Sequence, residues 1–274
     1  KLNLSYQTWD ENGERIRASG KRNDDYFDSR MWGLDLQFKK NIYGVDLTYG
    51  LDLYEDRVDS GRTDFSADGL TQTERIQGPV GDDARYLQYG IYAKGVCNLS
   101  DRSTLSIGAR YARVSADVGA YEDPATGNAA SYSDHWDALV SSVRYSHALD
   151  RGQTTKVWAG LSQSFRAPNI ADISRYGGSR SDEIEIAATS LDPETFLTYE
   201  VGLKVEKEKY KASLSYYYTH INDYITSTPT GKMRDGLNEV SKRNSSSGYV
   251  QGIELAGSYE INPSLTLWGN ATWI

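Results

Sequence analysis

Several groups of side chains in this sequence have types suited to chemistry. Asp82-Asp83 is a pair of adjacent acids and Asp134-His135 couples an acid to an imidazole. Either couple has the groups to activate a water as general base. His135, His147 and His220 are the only histidines. A metal centre needs several ligands converging in a defined geometry, and nothing in the spacing of these three supplies one. They read as separate surface or rim side chains. Asp59, Asp64 and Asp68 offer oxygen ligands of the kind calcium takes, but no EF-hand spacing frames them, so solvated acids are the simpler reading. Cys97 stands alone, which excludes an intrachain disulfide and any cysteine-based metal site. No phosphate-cradling glycine loop and no nucleophile elbow is present.

A different chemistry sits between Asn169 and Pro193. This polar stretch carries Arg175, Tyr176, Arg180, Asp182, Glu183 and Glu185, with Gly177-Gly178 beside the first two. Arginine presents a planar fork of donors matched to carboxylate or phosphate, and tyrosine adds a stacking face and a hydroxyl. Arg175, Tyr176 and Arg180 are therefore the candidate ligand contacts, with the glycines expected to leave them on a mobile segment. Two readings compete: Ile184, Ile186 and Ala187 pack a short local element under the loop, or the whole loop is a solvated lid.

The elements that would position this loop are strands. Before it, Val157, Ala159, Leu161 and Phe165 alternate with Trp158, Gly160, Ser162, Ser164 and Arg166; after it, Leu197, Tyr199, Val201, Leu203 and Val205 alternate with Thr198, Glu200, Gly202, Lys204 and Glu206. Side chains on a strand point to opposite faces with period two, so each segment has one apolar and one polar face. The same alternation covers Leu2–Gln7, Trp32–Lys39, Leu87–Lys94, Leu105–Tyr111, Leu139–Tyr145, Tyr210–Thr219, Tyr249–Ile261 and Leu265–Trp273. From Tyr43 to Leu53 it runs well past the ~5 to 6 residues usual in soluble strands, reaching the ~9 to 11 of a tilted transmembrane strand.

Composition narrows the class. The chain has 274 residues, net charge −8, pI near 5.0, mean hydropathy −0.62 and 21 tyrosines against 5 phenylalanines. An acidic balance argues against a nucleic-acid partner. No run approaches the ~18 to 20 apolar residues of a membrane helix, whereas a membrane barrel needs only alternate residues apolar. Tyrosine, with an apolar ring and a polar tip, suits a membrane–water boundary. Lys1 opens the chain without a signal-peptide pattern, as expected where a leader has been lost or removed.

Connection lengths then decide between a soluble sandwich and a barrel. Tight turns are expected at Lys40-Asn41, Asn98–Ser103, Leu149–Gln153, Lys207–Lys209 and Asn262–Ser264. Between them fall long polar loops at Thr8–Ser29, Glu55–Asp83, Ala116–Asp134, Asn169–Pro193 and Ser227–Ser247. Strict alternation of short and long connections is the layout of an outer-membrane barrel. The expected fold is all-β, an antiparallel meander of about 11 long strands. Arg110, Arg166, Glu200, Lys204 and Glu254 all fall on the polar parity. A charge at mid-bilayer facing lipid costs about 2 to 4 kcal/mol for Arg or Lys, so these side chains are expected to face the lumen.

SFRAPN at Ser164–Asn169, LDPE at Leu191–Glu194, YEVGLK at Tyr199–Lys204, SYYYTHINDYI at Ser215–Ile225 and GYVQGIEL at Gly248–Leu255 resemble, in order and spacing, the later barrel of TonB-dependent outer-membrane receptors. The likeness is most specific from Trp158 to Tyr259. It implies a bacterial outer-membrane, multi-pass location and a partial barrel of the 22-stranded receptor type across residues 1–274. It also implies a plug domain elsewhere in the same protein, facing Arg110, Arg166, Glu200, Lys204 and Glu254, and first and last barrel strands beyond this chain. The implied function is energised uptake of a scarce ligand such as a ferric siderophore, haem or cobalamin, with no catalysis, no cofactor and no resident metal. The implied partners are outer-membrane lipid, the plug, the TonB complex and a small-molecule or metal-chelate ligand. The alternatives from other classes are a passive porin or adhesin barrel and, on Asp82-Asp83 and Asp134-His135, an omptin-like barrel protease whose motif spacing is not reproduced here.

Overall fold

The computed structural model describes residues 1–180, 182–234 and 236–274. The strands are β1 (Leu2–Ile16), β2 (Arg22–Ile42), β3 (Val45–Phe65), β4 (Gln72–Glu74), β5 (Asp82–Ser100), β6 (Ser103–Glu122), β7 (Ala129–Ala148) and β8 (Thr155–Arg166). A short helix α1 (Ile170–Ser174) follows, then β9 (Gly177–Gly178), β10 (Glu183–Ile186), β11 (Glu194–Glu206), β12 (Tyr210–Asn222), β13 (Ile225–Arg234), β14 (Leu237–Asn244), β15 (Ser247–Asn262) and β16 (Leu265–Trp273). Eleven of these form one path, β1-β2-β3-β5-β6-β7-β8-β11-β12-β15-β16, with β4 attached to β3. Every neighbouring pair on the path is antiparallel. This is the all-β antiparallel meander that the alternation led us to expect. A second, four-stranded sheet, β13-β14-β10-β9, stands at the long-loop rim, with β10 parallel to β14.

Most of the polar stretches taken as loops are strand. β1 and β2 pair without a break up to Ile16 and Arg22, leaving only Arg17–Lys21 as a turn, and β3 continues to Phe65. β6 and β7 close around residues 123–128, and Ser227–Ser247 is largely the β13–β14 hairpin. Polarity misled the reading here. A strand that rises into water on both faces has no apolar alternation to show, yet its backbone ladder continues. The first tight turn also moves, from Lys40-Asn41 to Tyr43-Gly44. Both residues have positive φ, 49° and 82°, which is the type I′ geometry that matches strand twist in a hairpin.

The two faces of the main sheet differ. On one face Leu51, Leu53, Tyr89, Ile91, Ile107, Val201, Leu214 and Ile253 are exposed. They form a band whose register rows are apolar across many strands: Leu36, Leu51, Ile91, Tyr111 and Leu139 are directly opposite one another in sequence. On the other face long side chains reach across an intervening strand. Arg110 on β6 donates to Asp52 on β3 at 2.5 and 2.7 Å, lying over Gly90 of β5. A Cβ at Gly90 would stand 2.2 Å from Arg110 Nη2, so only glycine leaves this path open. Tyr92 crosses Gly50 in the same way and its hydroxyl accepts from Gln37 Nε2 at 3.2 Å.

Candidate functional site

Toward the long-loop rim the polarity of the two faces exchanges. Along β6, Leu105, Ile107, Ala109 and Tyr111 lie on the apolar face, but beyond them Arg113, Ser115 and Asp117 take that parity. The opposite parity becomes Ala112, Val114, Ala116 and Val118, all buried. The neighbours follow: Val58, Ala84 and Trp136 are buried on the same side. This apolar patch is covered by the segment after β8. Ile170 and Ile173 of α1, with Ala167 and Ala187, join Val58, Val80, Val114, Ala116, Val118 and Trp136 in one cluster, and Ile173 is fully buried.

Local sequence fixes how that segment enters. Asn169 caps α1, accepting from Asp172 N at 2.8 Å, while its own N–H donates to the Asp172 carboxylate at 3.2 Å. This reciprocal box satisfies two helix-end donors. Arg166, the last residue of β8, donates to Asp172 and to Glu194, each at 2.6 Å. The other Glu194 oxygen accepts from Ile225 N at 2.7 Å, so one buried carboxylate ties β8, β11 and β13 together. Burial opposes ionisation of Glu194, but the Arg166 guanidinium and the Ile225 N–H outweigh it and hold its pKa below the ordinary carboxylate value. Arg166 is correspondingly raised, first by the hydrogen bond to Glu194. Gln77 completes the seat: its amide donates to Ser174 O at 2.6 Å and accepts from Glu122 N at 2.7 Å.

Above this seat a charge cluster joins four chain segments. Glu122, at the end of β6, accepts from Arg75 at 3.1 Å and from Arg234 of β13 at 3.2 Å. Arg234 also donates to Glu239 of β14 at 3.0 Å and to Pro124 O at 2.6 Å. Arg75 reaches the Tyr176 hydroxyl at 3.4 Å. Glu239 is buried, which by itself disfavours its charge; the Thr230 hydroxyl and Arg234 reverse this and lower its pKa. Burial, then the nearby Glu122 carboxylate, raises the Tyr176 phenol. Burial likewise pushes Tyr86, beneath α1, up to about 12.

The residues singled out from the sequence fall in different surroundings. Tyr176 is only 7% exposed and packs with Ile184 and Ile186, so the glycines beside it do not leave it mobile. The Arg175 side chain is half-exposed and faces buried Glu185 at 3.4 Å, with Lys242 on the other Glu185 oxygen at 3.5 Å. Arg180 is largely exposed and lies 3.7 Å from Glu183. Arg110 pairs with Asp52, Glu200 with Arg144 at 2.5 Å and Lys204 with Glu206 at 3.0 Å, while Glu254 accepts from Ser215 at 3.4 Å. Asp82 accepts from Ser60 N, and His135 is exposed on the outer parity of β7. His147 bonds Ser103 and His220 bonds Asn222, in separate places. Asp68 accepts from Ser66 and Leu70 N within its own turn. Among the described residues no three His, Cys, Asp or Glu side chains group to hold a metal ion. The sequence reading missed Arg75, Glu122, Arg234, Glu239 and Gln77. The one signal available was the parity switch at Ala112–Val118, which marks a buried inner patch needing a cover.

A family model described as TonB dependent receptor-like, beta-barrel, matches residues 1–274. The chain belongs to that family. TonB-dependent receptor barrels are outer-membrane proteins, and this one is placed there with them. Solved structures agree in fold. The copper transporter OprC superposes with a TM-score of 0.73 at 18% identity, covering 96% of this chain and 41% of OprC. The Serratia marcescens hemophore receptor HasR, solved with its hemophore HasA and haem, gives 0.67 at 15% over 94% of this chain and 46% of HasR. The ferric yersiniabactin uptake receptor FyuA from Yersinia pestis gives 0.62 at 15% over 99% and 39%. The receptor barrel described here thus spans less than half the length of each. A comparison with curated protein sequences gave no match.

Proposed function

We propose that this barrel section belongs to a receptor that takes up a scarce small molecule or metal chelate, of the ferric siderophore, haem or cobalamin class, across the outer membrane. The observation that carries the reading is the cap: α1 is seated on the inner apolar patch of the long-loop rim, β10 pairs with β14 of the β13–β14 hairpin, and Glu194 and Glu122 tie that hairpin to β11 and β6. A barrel mouth with a built cover is suited to catching a ligand and retaining it. In this reading Arg175 and Arg180 contact the ligand, and Tyr176 holds the segment that carries them. Arg110, Arg166, Glu200, Lys204 and Glu254 face a plug domain of the same protein, and the apolar band lies against lipid. Energy comes through the TonB complex, which contacts a region outside residues 1–274, and no bond in the ligand is made or broken.

The test is made in the full-length receptor. Ferric siderophores, haem and cobalamin are screened for TonB-dependent uptake, and the one that enters is used to compare wild type with Arg175→Ala, Arg180→Ala and the double variant. Weaker binding in the double variant is expected. Unchanged affinity and uptake would show that these arginines do not contact the ligand.

A further inference from the structure

Four glutamates are buried in and around the cap: Glu122, Glu185, Glu194 and Glu239. Three of them are well bonded. Glu122, Glu194 and Glu239 accept from arginines, from the Thr230 hydroxyl or from a backbone N–H at 2.6 to 3.2 Å. Glu185 differs. Among the described residues its Oε1 is buried with no hydrogen-bond donor. Its charge is met at longer range, by Arg175 Nε at 3.4 Å from Oε2 and by Lys242 Nζ at 3.5 Å from Oε1. A carboxylate taken out of water normally gathers close donors, because burial without them is costly. Here two cations stand off from it and keep donors free for another acceptor.

The trio of Arg175, Lys242 and Glu185 carries one surplus positive charge. The other charges nearby have partners of their own. Arg180 lies by Glu183, and Arg62, which a Cβ at Gly177 opposite Glu185 would meet at 3.3 Å, is held by Asp25. Asp182 takes the Asn238 amide, four residues before Lys242 and so ~13 Å away along β14. Glu185 is 4% exposed, against 48% for Arg175 and 25% for Lys242, so solvent meets the cations with the carboxylate behind them. We propose that Arg175 and Lys242, spaced by Glu185, hold a free carboxylate of the transported ligand. A ligand carboxylate presents the same two-oxygen edge as Glu185 and faces it across the two cations, so that each cation lies between two anions. Charge-assisted bonds of this kind are the strong ones, whereas a neutral amide or hydroxamate oxygen leaves the surplus charge in place. Glu185 is then a positioning residue. Arg175 follows α1 and Lys242 stands on β14, so the bound carboxylate ties the cap to the hairpin. The inference rests on the receptor reading above and narrows it to carboxylate-bearing chelates, haem with its propionates among them, over cobalamin and neutral hydroxamate chelates.

The experiment uses the full-length receptor and four probes: haem and ferric citrate, which carry free carboxylates, and cobalamin and a neutral ferric trihydroxamate, which do not. Binding is read by quenching of tryptophan fluorescence, and uptake by accumulation in whole cells. Wild type is expected to bind a carboxylate-bearing probe, with an affinity that falls as salt rises. Lys242→Gln and Arg175→Gln are each expected to weaken that binding about tenfold, as when one charge-assisted hydrogen bond is lost, and to flatten its salt dependence. Lys242→Arg should restore both. If haem is the probe that binds, its dimethyl ester should not compete. Lys232→Gln, which removes a charge from β13 of the same hairpin, should bind as wild type. Binding confined to the carboxylate-free probes would overturn the proposal, and so would failure of both carboxylate-bearing ones to bind. Lys242→Gln as tight as wild type would overturn it too. A loss in Lys242→Gln that Lys242→Arg does not restore would mark a structural role and sink it as well. Energised uptake of cobalamin or of the trihydroxamate would leave the receptor reading standing while this proposal falls.

Discussion

Glu122 is the side chain that ties the β13–β14 hairpin to the end of β6. Its carboxylate is nearly buried and takes both Arg75 and Arg234, whose side chains are 32% and 22% exposed. Removing one partner of a buried pair costs about 3–5 kcal/mol; the exposure of both arginines puts Glu122→Ala at or below the low end. The loss should be local, freeing the β13–β14 hairpin, so amide exchange there should quicken while the main sheet stays protected. Unchanged hairpin protection would refute this role. The pH dependence has a definite sign. Glu194 and Glu239 have folded pKa values below their ordinary one. Their contribution is complete above the unfolded value of about 4.3 and is lost as pH falls through the folded values. Hairpin protection should therefore be flat from neutral pH to about pH 5 and then collapse below about pH 4. Collapse already complete at pH 6 would mean that another group governs it. None of these partners was legible in the sequence, because Arg75, Glu122 and Arg234 are far apart in the chain and each lies in a stretch that reads as polar loop.

Among the elements, the strands of the apolar band were legible and their upper halves were not, and the difference is physical. Within the band, burial on one side only imposes period two, so Tyr43–Leu53 and Tyr210–Thr219 declare themselves. Above it the pressure on the outer face disappears, and the inner face is apolar only where α1 covers it. β6 shows both regimes in one strand, since Leu105–Tyr111 face one way and Ala112–Val118 the other. The cover was half legible: packing of Ile184, Ile186 and Ala187 under the loop was one of the alternatives the sequence left open, and all three are buried. α1 itself has five residues and could not stand alone; it exists because Ile170 and Ile173 are buried. Ile173→Ala should cost about 2–5 kcal/mol locally. Limited proteolysis of the receptor should then cut between residues 167 and 188 with the barrel intact. Resistance equal to wild type would mean the seat is held by Arg166 and Gln77 rather than by packing. Gly90→Ala acts on another element in the same manner: its Cβ would occupy the place of Arg110 Nη2, so the Asp52–Arg110 bridge over β5 should be lost while strand pairing continues.

The whole sheet has two borders that the path does not close. β1 pairs only with β2 and β16 only with β15, and every residue of both strands is exposed. Eleven strands in meander order also cannot close with every neighbouring pair antiparallel, since the first and last run parallel. Two separate liabilities follow. The apolar face, with Trp273 about three-quarters exposed, needs an apolar surrounding. The free edges offer unpaired N–H and C=O groups, which template pairing with other chains and are not tolerated in lipid. Detergent answers the first liability and not the second, because a micelle covers side chains but provides no ladder. Residues 1–274 expressed alone should therefore aggregate in plain buffer. In detergent they should dissolve yet scatter light as more than one chain, with the far-ultraviolet signature of β-sheet retained. A monodisperse single chain in buffer without detergent would contradict both halves of this expectation. A single chain in detergent would contradict only the second, and would show that the edges of β1 and β16 are blunted by their own charged and polar side chains.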